Sequence, residues 1–457
     1  MKKPRILLAA PKSGSGKTLI TCALLGALKK KDLKPAAFKC GPDYIDPMFH
    51  RTVLKVPSEN LDTFFTGKET RGIFAELARD ADIAVMEGVM GLFDGLGGTR
   101  EEGSAYHLAK VTSTPIILVV DVHGMGKSMI PLIKGFLDYD TEHLIKGVLL
   151  NRMTESFLET MRPMLEAELP VPIVGFFPAR KDIHLESRHL GLMLPGEIED
   201  LESQLNAAAD QFLATAGFEK ILAIADQAED ITDVEPAGKA AADSTSAEKV
   251  PLTLAVARDE AFCFYYEANM RAFRKRGVEI RYFSPLHDKA IPSETDGILL
   301  GGGYPELYAK ELSENESMKA SIRSAIEGGM PSLAECGGFM YLHESMEDQE
   351  GGCYPMVGLV KGTVQFKGKL VRFGYVELTE KQPCFLQEGH SIKAHEFHYY
   401  DSTNNGEACT ALKPVTGKSW ECIHEGEAQF WGFPHLYYPS NEEFTEHFVK
   451  VMKERKQ

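Results

Sequence analysis

Short apolar runs recur along the first half of the chain at 6–10, 36–39, 83–86, 116–120, 147–150 and 173–176. Runs of this length without polar alternation are expected of strands buried on both faces. Between them lie amphipathic stretches, 19–30 and 72–79 among them, whose apolar positions follow helical spacing. Strand–helix alternation predicts a mainly parallel sheet covered on both faces, with ligands at the carboxyl ends of its strands. The pattern fades over 222–249, which is polar, alanine-rich and aperiodic, and reads as a linker. It resumes at 252–257, followed by apolar runs at 280–283, 297–300 and 332–334 with helical stretches between. The expected division is a domain at 1–221, a linker at 222–249 and a second α/β domain at 250–457, with no internal repeat.

Length supports that division, since 457 residues are too many for one ordinary core. A composition of 44% hydrophobic and 25% charged residues is that of a globular protein rather than a disordered one. The net charge of −16 leaves no electrostatic footprint for nucleic acid. No signal-type block or bilayer-length apolar run is present, so neither secretion nor a membrane is expected. Eight cysteines include no Cys-x-x-Cys pair, which argues against a zinc site or a disulfide framework and for reducing cytoplasm.

Within this frame, Pro11-Lys12-Ser13-Gly14-Ser15-Gly16-Lys17-Thr18 follows the first strand and opens a helix. It departs from the phosphate-loop pattern only in having Pro11 where the first glycine belongs. Gly14 and Gly16 let backbone N–H groups face an anion at a helix N-terminus. Lys17 is expected to neutralise β/γ-phosphate charge and the Thr18 hydroxyl to hold Mg²⁺. Lys12 is a second lysine in the loop, as in the deviant variant of ATPases that often pair across a dimer, so a homodimer is a candidate state. The plain alternative is a Gly/Ser turn opening a helix, which the strand–loop–helix context disfavours.

Asp43 and Asp46, in Gly41-Pro42-Asp43-Tyr44-Ile45-Asp46-Pro47, leave the end of the second strand and suit Mg²⁺ coordination or placement of a substrate acid. Turn chemistry alone also explains Asp beside Pro. Asp62 is a weaker candidate that also reads as a helix cap. Glu87 ends a buried strand before Gly88, and a carboxylate there is costly unless paired or metal-bound. Phosphoryl transfer needs such a group for the bridging metal, so Glu87 joins Thr18 and Asp46 as a metal ligand. Asn151, closing another strand, is a weak candidate for reading adenine.

Downstream, Gly301-Gly302-Gly303-Tyr304-Pro305-Glu306 follows the strand at 297–300, and bare N–H groups at Gly302 and Gly303 suit an oxyanion hole. Cys336, in Ala334-Glu335-Cys336-Gly337-Gly338, stands between a strand and a helix, the context of a nucleophile elbow. The other seven cysteines read as ordinary core or surface residues. A base must come from elsewhere among fourteen histidines. His435 is preferred because it follows an apolar run late in the domain, with His395 and His398 as rivals.

These strings, with Ser187-Arg188-His189-Leu190-Gly191-Leu192 and 256–266, resemble the cobyrinate a,c-diamide synthase family over nearly the whole chain. The resemblance implies a phosphate-loop, dethiobiotin-synthetase-like N-terminal domain joined to a class I glutamine amidotransferase-like domain, both α/β. It implies amidation of the a and c acetate side chains of a corrinoid tetrapyrrole acid, with ATP, Mg²⁺ and L-glutamine. Cys336 would then take the glutaminyl group with His435 as base, and Lys12, Lys17, Thr18 and Glu87 would serve ATP and Mg²⁺. Asp43, Tyr44 and Asp46 would lie where the substrate carboxylate meets the γ-phosphate, and an acyl phosphate would give that carboxylate a leaving group. Arg188 and His189 would be available to the acidic macrocycle, although a basic pair on a loop is usually solvated. Class I glutaminases generally carry Glu two residues after the histidine, where this chain has Tyr437. Hydrogenobyrinate and nickel-sirohydrochlorin are alternative substrates, and a phosphate-loop ATPase switch with a degenerate second domain is an alternative of another class.

Overall fold

The apolar runs of the first half become strands of a single parallel sheet. In a computed structural model, which describes residues 2–183, 187–188, 191–192, 198, 200–231 and 251–456, that sheet has seven strands. They are β1 Arg5–Ala9, β2 Pro35–Lys39, β3 Ser58–Asn60, β4 Ile83–Glu87, β5 Ile116–Asp121, β6 Ile145–Asn151 and β7 Ile173–Phe177, in the order β3-β2-β4-β1-β5-β6-β7. All six expected strands are present; the short polar edge strand β3 has no apolar run to announce it. Successive residues point to opposite faces, so Leu7, Phe38, Met86, Leu118 and Leu150 enter one core. Leu8, Val85, Ile117, Val119 and Leu149 enter the other. Helix Lys17–Lys30 covers the second face and packs on helix Leu201–Thr215.

The strand order matters for function because it gathers three loops at one edge. Leu8 pairs in register with Glu87 and Lys39 pairs with Glu87, so the ends of β1, β2 and β4 are neighbours.

The first unit runs further than expected. Helix Phe218–Ala225 crosses the anticipated boundary at 221, and its Ile221 and Ile224 pack in the core with Ile6 and Leu8. Ile231 is buried in the other core. The aperiodic appearance of 222–231 arises because these residues dock on a finished sheet instead of forming a long amphipathic element. The chain divides into two compact units, Met1–Ala240 and Ala241–Gln457; residues 232–250, which hold most of the anticipated linker, lie outside the described residues. Ser187–Arg188 and Gly191–Leu192 form a two-stranded antiparallel ladder.

The second unit is built on a six-stranded sheet. Strands Val278–Phe283, Leu252–Ala257, Gly297–Leu300, Ser332–Glu335 and Gln429–Gly432 are parallel in that order, with His424–Gly426 antiparallel at the edge. A separate antiparallel sheet runs Ser419–Cys422, Cys409–Leu412, Arg372–Glu380, Ser391–His398 and His435–Leu436. Among the described residues no helix is long and apolar enough to cross a membrane.

Arg5 ties the late segment to the first strand. Its fully buried guanidinium donates to Thr112 O at 3.0 Å, Lys3 O at 2.9 Å, Ser113 O at 3.1 Å and Glu229 O at 2.5 Å. Burial pushes its pKa down to about 10, with the Asp230 and Glu229 charges opposing. Each buried carbonyl left unsatisfied costs about 1–3 kcal/mol. Arg5→Leu is therefore expected to lower the denaturant midpoint of the first unit and to expose 226–231 to protease. An unchanged midpoint and digest would show that this anchor is dispensable.

Candidate active sites

The loop after β1 turns into helix Lys17–Lys30 through Gly16, which has φ 84°. Two constraints require glycine there: the left-handed backbone and a close approach by the Asn151 side-chain amide, which any Cβ would strike. Asn151 Nδ2 donates to Ser15 O at 2.8 Å, and its Oδ1 accepts from Arg152 N at 3.0 Å. The residue expected to read adenine thus has both polar atoms on backbone and braces the loop from below. Ser15 Oγ donates to Lys12 O at 2.9 Å, closing the turn, while Lys12 itself is exposed.

Lys17 is buried and donates to Met90 O at 2.7 Å. Burial, and then the Lys39 charge, push its pKa down to about 8. Thr18 Oγ1 lies 2.7 Å from Glu87 Oε1 and 3.2 Å from Asp46 Oδ2, so the three residues expected to share a metal converge. Lys39, at the end of β2, pairs with both carboxylates, at 2.9 Å from Glu87 Oε1. Burial opposes its charge, but Asp46 and Glu87 outweigh it and hold the ammonium well above its ordinary range. Glu87 would be raised by burial, yet the Lys39 charge and His50 bring it well below the usual carboxylate range. Asp46 moves well above that range through burial and the Asp43 and Glu87 charges.

Thr18, Asp46 and Glu87 offer hard oxygen donors of the kind Mg²⁺ prefers. Glu87 Oε2 is buried 3.6 Å from His50 Nε2, with no hydrogen-bond partner at normal distance among the described residues, so the donor set fits that ion. No group of three His, Cys, Asp or Glu placed to hold a metal occurs among the described residues; hydroxyl and phosphate oxygens would have to complete the shell.

Asp43 does not reach this cluster through a hydrogen bond; its Oδ1 accepts from Ile45 N at 2.8 Å and Asp46 N at 3.3 Å, capping the short helix Ile45–Met48. Tyr44 precedes that helix. Asp62 likewise caps helix Thr63–Thr66 through Phe64 N at 2.7 Å. His189 and the side chain of Arg188 lie outside the described residues.

In the second unit, Cys336 joins strand Ser332–Glu335 to helix Gly337–Tyr341 with φ 46°, a strained value for a side-chain-bearing residue. The elbow is clamped: Cys336 N donates to Gly432 O and Gly338 N to Gly301 O, both at 2.8 Å. Burial, and then Glu306 and Glu396, push the thiol well up. A thiol so placed rests protonated, and an attack by it would need a base.

His435 sits on the short edge strand His435–Leu436, paired with His395 in register. A Cβ on Gly302 would collide with its ring, and one on Gly337 would lie 3.2 Å from Gly303 N. The glycine loop, the elbow and the imidazole therefore lie together. Burial, then the His398 charge, lower His435 to about 3, which leaves a neutral imidazole able to accept a proton. The rival His398 is otherwise engaged, with Nε2 at 3.0 Å from Glu396 Oε2 and Nδ1 at 2.6 Å from Tyr400 O. His395 is likewise buried and lowered to about 3, first by burial and then by the charge of His435.

Sequence reasoning passed over Lys39, His50 and Glu335. A signal was available: the rule that singles out Glu87, a charged residue ending a buried strand, applies equally to Lys39 and Glu335.

Two family models match the chain: a CobQ/CobB/MinD/ParA nucleotide binding domain over residues 6–192 and a CobB/CobQ-like glutamine amidotransferase domain over 253–432. Proteins named cobyrinate a,c-diamide synthase are similar over most of both chains. That of Caldanaerobacter subterraneus is 38% identical, covering 91% of this chain and 91% of its own. That of Listeria innocua is 38% identical over 96% and 97%, and that of Priestia megaterium 35% identical over 100% and 98%. With both domains matched and relatives aligned along nearly its full length, the chain belongs to the cobyrinate a,c-diamide synthase family, whose members are ATP-dependent, glutamine-hydrolysing ligases.

Proposed function

We propose that this chain amidates the a and c acetate carboxylates of cobyrinate in cobalamin biosynthesis, with nitrogen from L-glutamine and energy from ATP. The observation that carries the reading is the convergence of Thr18, Asp46 and Glu87 beneath the phosphate loop, in a chain that also holds a cysteine elbow.

The chemistry explains why both are needed. A carboxylate has no group that ammonia can displace. Its oxygen would attack the γ-phosphorus of ATP, releasing ADP and giving an acyl phosphate. Ammonia would then add to the acyl carbon, phosphate would leave, and the nitrogen would lose a proton. Bound Mg²⁺, held by Thr18, Asp46 and Glu87, would neutralise charge developing on the phosphates. Lys17 would turn from Met90 O to the β/γ-phosphates, and Lys12, exposed on the loop, is free to approach the same charge. Gly14 and Gly16 shape the N–H cradle, and Asn151 keeps it in shape. Asp43 would act through the helix it caps, which aims Asp46, with Tyr44 beside the entering carboxylate.

Ammonia would come from the second unit. Cys336 Sγ would pass its proton to His435 and attack the glutamine amide carbon, while N–H groups at Gly302 and Gly303 face the oxyanion. The proton held by His435 would leave with ammonia, and water would release glutamate from the thioester. Hydrogenobyrinate or nickel-sirohydrochlorin offers the same carboxylate chemistry. Mass spectrometry of each acid incubated with ATP, Mg²⁺ and glutamine separates them, because each amidation replaces a hydroxyl by an amino group.

Cys336→Ala is expected to abolish synthesis from glutamine and to leave synthesis from ammonium salts near the parent rate. Loss of both, or retention of both, would refute a separate glutaminase. Glu87→Gln is expected to cut synthesis from either nitrogen donor by about 10²-fold or more, the scale of losing one preorganised electrostatic group. A wild-type rate with both donors would remove Glu87 from the reaction. Lys17 is a cation at neutral pH and loses its charge as pH rises through about 8 in the nucleotide-free protein. ATP affinity measured by calorimetry should therefore weaken above that pH, and a flat profile to pH 9 or so would contradict the lowered value.

A further inference from the structure

Glu335 immediately precedes the cysteine, and its carboxylate faces the other half of the site. Its Oε2 lies 3.9 Å from His435 Nδ1. Its Oε1 accepts from Tyr438 OH at 2.7 Å, and Leu436 N–H also donates to the carboxyl. The side chain is thus fastened to positions 436 and 438, on either side of the Tyr437 that replaces the usual acid. The receiving strand is itself fixed: Asn269 Nδ2 donates to Leu436 O at 2.8 Å and its Oδ1 accepts from Tyr438 N at 2.9 Å. Glu335 and Tyr438 are buried, as is His435.

We infer that Glu335 is the positioning residue for His435, taking the place of the acid missing at Tyr437: its Oε2 receives Nδ1–H, leaving Nε2 for the Cys336 thiol. The inference rests on the glutaminase reading above. A distance of 3.9 Å exceeds a hydrogen bond, and such contacts commonly shorten only when substrate is bound. The charge state suits the task. Burial raises Glu335 to about 8, with Tyr438 and Leu436 opposing, and lowers His435 to about 3; the working form is the carboxylate, its proton given up to solvent, beside a neutral imidazole. Positive charge appears on the ring when the thiol proton reaches His435, and the carboxylate then stands beside the new imidazolium. An interaction that strengthens only at that moment lowers the barrier instead of tightening glutamine binding.

Glu335→Gln preserves size and can still accept from Tyr438 and Leu436, but it cannot take up the imidazolium's charge. For glutamine-dependent synthesis, kcat should fall on the order of 10²-fold or more, as loss of a triad carboxylate does elsewhere. KM for glutamine should stay within about threefold, since uniform binding is untouched. The thermal midpoint and ammonium-driven synthesis should match the parent, and alkylation of Cys336 by a chloroketone analogue of glutamine should slow with kcat. A parental kcat in Glu335→Gln overturns the assignment. So does a joint fall of kcat, ammonium-driven rate and thermal midpoint, which would mark a purely structural role. Cys336→Ala run in parallel separates the two levels. If it still consumes glutamine, the glutaminase reading fails; if it is inert while Glu335→Gln is normal, only the role of Glu335 fails.

Discussion

A buried ammonium holds the first site together. Asp46 and Glu87 are carboxylates within reach of one hydroxyl, Thr18 Oγ1, in a place with almost no solvent. Two such groups cannot both ionise there without a cation, because burial and mutual repulsion act in the same direction. Lys39 supplies the cation from the end of the neighbouring strand. Asp46 and Glu87 are displaced in opposite directions: burial pushes both up, but the Lys39 charge and His50 draw Glu87 well down, while the Asp43 and Glu87 charges add to burial and leave Asp46 well up. Strand order makes the arrangement possible, since only adjacent β2 and β4 in this register bring Lys39 level with Glu87. A divalent cation arriving at the same oxygens would compete with Lys39, which would tie metal binding to the ionisation of the pair.

Much of the parallel sheet was legible because its strands are apolar on both faces, which leaves uninterrupted runs at 83–86 and 116–120. The antiparallel sheet of the second unit was not. Strands such as Arg372–Glu380 alternate buried and half-exposed residues, with Val376 and Leu378 in the core between polar neighbours, and so leave no continuous run. The end of the first unit was misjudged for a related reason: Ile224 and Ile231 are isolated apolar positions that dock on an existing core.

The sites divide along the same line. Glycine punctuation marked the phosphate loop and the elbow, and the structure places strained or left-handed backbone at both, at Gly16 and at Cys336. Roles that depend on a distant partner were harder to read. Asn151 was visible as a polar residue ending a strand, but only the fold shows it under Ser15. Asp43 and Asp62 were ambiguous between chemistry and capping, and both cap helices. His435 was preferred to His395 and His398 on position alone; the engagement of both His398 ring nitrogens emerges only from packing.

The second site also shows why an acid adjacent to the proposed nucleophile is mechanically sound. Cys336 holds a backbone conformation that a non-glycine residue adopts at a cost, commonly of order 1–3 kcal/mol, so the surrounding contacts must over-determine it. Glu335, one residue earlier, belongs to a strand paired on both sides, to Leu300's strand and to Gly432's. A carboxyl fixed there and fastened to Tyr438 links the strand carrying the cysteine directly to the segment carrying the histidine. An acid two residues after the histidine would orient the ring from its own segment and leave that segment free to shift against the elbow. With Glu335 in the proposed role, one strand end would determine where the sulfur points and where the imidazole stands, so the separation of sulfur and imidazole would become a property of the sheet.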